Sequence, residues 1–450
     1  MDKCFDELKT YFISDYFSEN QYLKTSAEDL YDVYLYKNIN LYENPIHENQ
    51  IEIIVDCKMD LIYDDMTSFL YEKVNEINSE NDLMIRIHET FCKSKQNSWF
   101  SLEKNNETID VNDMISDVSF LFVTGSFTNQ SINVERYDFN TNVWDKLSNV
   151  IDFIGYSLEY DSEKQFLFVG GKFSNIGSHE LVYANNIAKY DCINNTWESL
   201  QQGLNDDCLC MAYNKKTECL FVGGNFTTSG HLPMNYFGIY DLSNSLWKSI
   251  PGGDINAPCR TICIDESNQL IYIGGDFTEV GHSKMTANYV AIYNIITDSW
   301  SELRDGMGGS TTSVRSICLD TISQCLYVGG NFSTAGSVPV NNIAKYNISS
   351  KTWESFGGVN NTCNTLNMDS FYLYAGGEFT HILSEKNEYS PFIAKYDIIK
   401  SSWCPFSESG LNAICKKICA REDDLYVGGS FTKAGHILVN GLVGYHKINV

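Results

Sequence analysis

One short motif returns seven times along the 450-residue chain, and it limits the chain to very few architectures. An apolar run leads into two glycines, then one variable residue, Phe, and Thr or Ser. The second glycines are Gly125, Gly171, Gly224, Gly275, Gly330, Gly377 and Gly429, spaced 46, 53, 51, 55, 47 and 52 residues apart. Only the first copy departs, with Thr124 in place of its first glycine. Self-similarity at such a period marks an array of like units, each burying its faces against its neighbours.

A second element follows each of the first six copies. An apolar segment ends in Tyr, then come six residues and a Trp: Tyr137/Trp144, Tyr190/Trp197, Tyr240/Trp247, Tyr293/Trp300, Tyr346/Trp353 and Tyr396/Trp403. Each unit reads as four short strands rich in β-branched and aromatic residues, bounded by Gly, Asn, Asp and Ser. In the unit of Gly330 these are Val314–Leu319, Cys325–Val328, Asn342–Tyr346 and Thr352–Phe356. No long helical period interrupts them. Seven four-stranded units of this length predict a seven-bladed β-propeller, a mainly β fold in which fixed Tyr and Trp supply rigid faces between blades.

The seventh unit ends at Tyr445, and its own Trp would fall beyond Val450. The seventh tryptophan, Trp99, lies 26 residues before Gly125, and each other Trp lies 24 to 30 residues before the next second glycine. The strand around Trp99 is therefore expected to complete the last blade and close residues 96–450 into a ring without a bare edge.

The apolar run, diglycine, Tyr and spaced Trp resemble the blade motif of kelch-repeat propellers over roughly Trp99 to Val450. The added Phe-Thr/Ser and the frequent Asn-Ile-Ala-Lys-Tyr third strand depart from that motif. They are similar to propeller repeats of some bacterial proteins and of proteins from amoeba-infecting giant viruses. The resemblance implies a protein-binding platform in most cases and a galactose-oxidase-like copper enzyme in a few.

Residues 1–95 lack the motif. They carry 20 acidic and 9 basic residues within a chain whose net charge is −26. A strand over Gln50–Asp56, a helix over Asp64–Ile77 and a strand over Leu83–His88 predict a small α+β module. A ubiquitin-like β-grasp is one arrangement they allow. The acidity fits either a docking module for a basic partner or simple solubility, and it opposes nucleic acid or anionic membrane as a direct partner. No stretch of 18 apolar residues and no basic-then-apolar leader at Met1–Glu7 is present, so neither membrane insertion nor secretion is expected. The 15 cysteines, an odd number, then suggest reduced thiols in a cytoplasmic setting, host cytoplasm or virion for a viral chain. The Asn106, Asn225 and Asn331 sequons are read as coincidental.

The segments between second and third strands vary most between units, and variable loops on a rigid scaffold are where recognition sits. They carry His231, His282 and His436 at one repeat position, His179 one residue later, and His381 in the longest segment, 381–389. A metal ring is one reading, but ligands on separate blades do not converge on one ion. Cys259, Cys363 and Cys415 share one innermost-strand position, and Cys263, Cys318 and Cys419 another, as small fillers of a tapering centre. No copper–Tyr–His set, nucleophile elbow, P-loop or dinucleotide fingerprint is present. The expectation is a non-enzymatic scaffold with no cofactor, binding a protein through one propeller face with an N-terminal docking module. A structural or virion-associated component that self-assembles is the alternative, and a galactose-oxidase-like enzyme the third.

Overall fold

A computed structural model describes Leu35–Tyr36, Ile54–Val55 and residues 98–447 apart from 103–108, 128–133, 149–153, 178–180, 385, 407–409 and 422–423. Ile54–Val55, inside the strand expected over Gln50–Asp56, pairs antiparallel with Leu35–Tyr36. The expected helix at 64–77, the strand at 83–88 and the β-grasp arrangement lie outside the described residues.

Trp99–Lys447 form one compact unit, and no helix occurs among its described residues. Its strands make seven four-stranded antiparallel sheets. In chain order the innermost strands are Ile109–Ser116, Ile154–Asp161, Cys208–Asn214, Cys259–Asp265, Ser313–Asp320, Cys363–Met368 and Cys415–Arg421. They define blades 1 to 7. Each innermost strand packs beside the next, and that of blade 7 packs beside that of blade 1. The sheets therefore form a closed ring, a β-propeller. Blades 1 to 6 each take four consecutive long strands. In blade 7 the outermost place, beside Leu442–His446, belongs to Ser98–Phe100.

The repeated glycines have steric causes. Every innermost strand bulges near its start, as between Cys208 and Cys210. The bulge turns a carbonyl at the second glycine of the neighbouring strand. A Cβ on Gly125, Gly171, Gly224, Gly275, Gly330, Gly377 or Gly429 would collide with the carbonyl oxygen of Asp110, Ile154, Asp207, Pro258, Ser313, Thr362 or Ile414. None of these seven glycines has a positive φ. Close backbone approach, not turn geometry, demands them.

The aromatic pairs also have defined work. Tyr and Trp of each pair stand opposite each other across the third and fourth strands, as Tyr190 and Trp197 do with ring centroids 4.8 Å apart. The Tyr hydroxyl reaches the residue that closes the intervening turn: Tyr137 to Asn142 at 2.8 Å, Tyr190 to Asn195 at 3.1 Å, Tyr293 to Asp298 at 2.7 Å. Those closing residues sit at φ of 56°, 54° and 48°, where Asn and Asp are best tolerated. The Trp side then links blades. Nε1 of Trp144, Trp197, Trp247, Trp300, Trp353 and Trp403 donates to a carbonyl leaving the preceding blade, at Leu102, Leu147, Leu200, Gly253, Leu303 and Phe356, over 2.8–3.1 Å. Tyr240, Tyr346 and Tyr396 pair with their Trp in the same way.

Candidate binding face

Because strands alternate in direction, the connections between second and third strands leave one face of the ring. The links from each fourth strand to the next blade leave the same face. On this face the expected loops are ordered hairpins. Two-residue strands pair at Asn175–Ile176/Val182–Tyr183, Thr228–Ser229/Leu232–Pro233, Glu279–Val280/Met285–Thr286, Thr334–Ala335/Val338–Pro339, His381–Ile382/Glu388–Tyr389 and Lys433–Ala434/Ile437–Leu438.

An asparagine in the incoming link holds the root of four hairpins. Asn205 Oδ1 accepts from the N–H groups of Thr227 and Thr228 at 2.8 and 2.9 Å, and its Nδ2 donates to Thr227 Oγ1 at 3.0 Å. Asn256, Asn360 and Asn412 repeat these three bonds with Thr278/Glu279, Thr380/His381 and Thr432/Lys433. In blade 5 Gly308 stands at this place, and Met307–Gly308 pairs with Thr334–Ala335 directly. The sequence did signal this clip: an apolar residue precedes Asn at Leu204, Ile255, Val359 and Leu411. The Thr of the Phe-Thr/Ser motif, a departure from the kelch pattern, is the clip's partner.

Clipped or not, the paired hairpins present one residue outward at a shared position. It is Tyr183 in blade 2, Tyr389 in blade 6 and Leu438 in blade 7, exposed by 82%, 63% and 83%. Blades 3, 4 and 5 show Pro233, Thr286 and Pro339 there. Blades 6, 7, 1 and 2 are consecutive around the ring, so the large apolar tips fall on one arc.

The histidines are spread around the same face. His231, His282 and His436 are exposed at hairpin tips, each after a glycine at positive φ, and each on its own blade. The His282 ring lies 3.2 Å from the Pro251 carbonyl. His381 is half-buried, with Nδ1 2.9 Å from Thr380 Oγ1 and its ring 5.4 Å from that of Tyr389. His179 lies outside the described residues. Among the described residues no three His, Cys, Asp or Glu side chains come together as a metal would require.

The cysteines occupy packing positions. Cys208, Cys259, Cys363 and Cys415 each fill the space over the first glycine of the preceding blade: Gly170, Gly223, Gly329 and Gly376. Burial pushes the Cys263 and Cys363 thiols up to about 12 and raises those of Cys208 and Cys415 further. Thiols held neutral in this way are poor nucleophiles and poor metal ligands. Cys210 and Cys259 touch across blades 3 and 4 with Sγ atoms 3.8 Å apart.

Comparisons with known proteins fit this architecture. Residues 302–420, spanning blades 5 and 6 and the first strand of blade 7, match the family described as the Rax2 C-terminal beta propeller domain. The chain is 28% identical over 144 residues to the polarized growth protein rax2 of Schizosaccharomyces pombe, covering 29% of this chain and 12% of that protein. It is 27% identical over 177 residues to the polarized growth protein RAX2 of Candida albicans, covering 36% of this chain and 12% of that one. The chain thus matches a small part of the length of these curated relatives. Among solved structures, the extracellular domain of a putative one-component system from B. thetaiotaomicron superposes with a TM-score of 0.53 at 15% identity, over 79% of this chain and 40% of that chain. The extracellular domain of a putative hybrid two-component system from the same organism gives 0.53 at 16%, over 77% and 39%. At these identities the structures speak to the fold alone.

Proposed function

We propose that this chain is a kelch-like, non-enzymatic protein-binding scaffold whose partner seats on the hairpin face. One observation carries the reading. Paired hairpins expose Tyr183, Tyr389 and Leu438 at one register position on blades 2, 6 and 7, and Asn–Thr clips fix the last two at their roots. Rigidly held tyrosines at solvent-facing tips are the side chains that anchor protein interfaces at small entropic cost. The relatives support a scaffold role at the level of the shared domain, since both are named for polarised growth and neither is named as an enzyme.

The test is comparative capture from the source organism with full-length protein. The triple variant Tyr183→Ser/Tyr389→Ser/Leu438→Ser should lose a partner that the parent retains, with an unchanged melting temperature. Replacing 381–389 by a short turn should weaken the same partner. A partner held equally by parent and triple variant sinks the reading.

A further inference from the structure

The space over the first glycine of a pair is filled from two sides. One side chain stands just after the bulge of the glycine's own innermost strand, and the other just before the bulge of the next blade's. Over Gly274 these are Thr261 and Val314, and over Gly376 they are Thr365 and Cys415. Over Gly223 both are cysteine: Cys210 of blade 3 and Cys259 of blade 4.

The repeat shows how unusual Cys210 is at its place. Six blades carry a charge or a hydroxyl just after the bulge: Asp113, Ser157, Thr261, Ser316, Thr365 and Lys417. Ser316 and Thr365 accept there from the N–H groups of Leu366 and Ile418 in the next blade, at 2.9 and 3.4 Å. Cys210 instead turns its thiol to Cys259, with Sγ 3.6 Å from the Cys259 carbonyl oxygen and 3.8 Å from Cys259 Sγ. Blade 3 thus departs from the pattern to the one residue type that can bond covalently to the residue it faces. The nearby Cys208 fills the space over Gly170, at the preceding seam.

A disulfide needs its sulfurs at about 2.0 Å. Gly223 leaves them room to close, because it has no Cβ to stand against either sulfur. Burial and the neighbouring thiol push the Cys210 thiol well up. In the closed fold it therefore stays protonated and slow to react. Folding, or local opening of the seam, is when both thiols meet an oxidant.

We propose that Cys210 and Cys259 form a disulfide that staples blade 3 to blade 4 when the chain meets a small-molecule disulfide. One cysteine thiolate attacks glutathione disulfide and releases a glutathione thiolate. The other cysteine thiolate then attacks the mixed disulfide, which forms the protein S–S bond and releases the second glutathione thiolate. Two electrons pass from the protein thiols to glutathione disulfide, and the two thiol protons end on two glutathione thiols. The bridge joins residues 49 apart, and closing a loop of that size should raise the melting temperature by roughly 5 °C.

The test incubates the full chain with glutathione disulfide in urea just below its unfolding midpoint. Free thiols are then blocked with N-ethylmaleimide, and linked peptides are mapped by mass spectrometry. The main linked pair should join Cys210 to Cys259. After urea and glutathione are removed, the melting temperature should stand roughly 5 °C above that of the reduced chain, and dithiothreitol in urea should reverse the rise. Cys210→Thr and Cys259→Val install residues that blades 4 and 5 use at the same places, and either should abolish the rise. The mapping on the parent chain decides the matter even if neither variant folds. Cys210 and Cys259 both recovered as blocked thiols, or a main linkage through Cys208, would overturn the proposal. So would an equal rise in Cys210→Thr.

Discussion

Thr124 replaces a glycine that the other six blades keep, and the structure shows why it can. The first glycine of each pair faces the residue that opens the next innermost strand: Gly274 meets Val314, Gly376 meets Cys415, and Gly428 meets Val111. Opposite Thr124 the opening residue is Gly155, and a Cβ there would collide with the Thr124 hydroxyl. One large and one small residue share a fixed volume, and only their order is exchanged. Gly155→Cys should therefore cost about 1–3 kcal/mol by overpacking. Thr124→Gly/Gly155→Cys should restore most of it, read as a coupling energy in chemical denaturation. An additive double variant would contradict the shared-volume account. The departure at Thr124 was legible in the sequence, but its pairing was not, because Gly155 stands about 31 residues away on the next blade.

Among elements, the strands of each blade were the most legible. The segments expected in the Gly330 unit correspond to Ser313–Asp320, Cys325–Asn331, Ile343–Asn347 and Thr352–Glu354. Period-2 apolar patterns and turn residues state such strands locally. The face hairpins were not legible, because two-residue strands carry no period and depend on Asn residues that precede the blade's first strand. Ser98–Phe100, three residues long, is an outermost element with a wide burden. Trp99 is 6% exposed and packs on Phe406 and Tyr445 with centroids 5.5 and 4.8 Å away. Its Nε1, alone among the seven tryptophans, is buried with no hydrogen-bond partner. Trp99→Ala should cost about 3–5 kcal/mol, the range for a buried Trp truncation. Trp197→Phe strands the Leu147 carbonyl, whereas Trp99→Phe breaks no bond, so the second should be milder by about 1 kcal/mol. Equal costs for the two Phe variants would contradict the link between Nε1 bonding and blade cohesion.

For the whole molecule, the seam between blades 7 and 1 is held by ion pairs between its two innermost strands. Between other innermost strands, side chains accept backbone N–H groups, as Ser316 Oγ does from Leu366 at 2.9 Å, Asn367 Oδ1 from Ala420 at 3.3 Å and Asp113 Oδ2 from Leu158 at 2.7 Å. Across the 7–1 seam Lys416 meets Asp110 at 2.8 Å and Lys417 meets Asp113 at 2.7 Å. Arg421 donates to the carbonyls of Asp117 and Val118. Asp113 is buried, so Lys417→Ala should cost about 3 kcal/mol, against about 1 kcal/mol for Ser316→Ala, by urea denaturation. Matching costs would remove the ionic distinction. On the innermost strand of blade 2, desolvation lifts the Glu159 carboxyl from 4.5 to about 8. The folded state then holds a proton that the unfolded chain releases, so stability is full below about pH 4.5 and falls as pH rises through 8. Glu159→Gln should flatten that decline between pH 6 and 9 in thermal melts, and an unchanged slope would assign the decline to other groups.

The scaffold reading is tested most directly by hydrogen exchange on the full chain with and without its captured partner. The account predicts slowed exchange at Val182–Tyr183, Glu388–Tyr389 and Ile437–Leu438, with little change along the fourth strands at the rim. Protection confined to residues 1–97, with the hairpin face exchanging as freely as in the unbound chain, would contradict it.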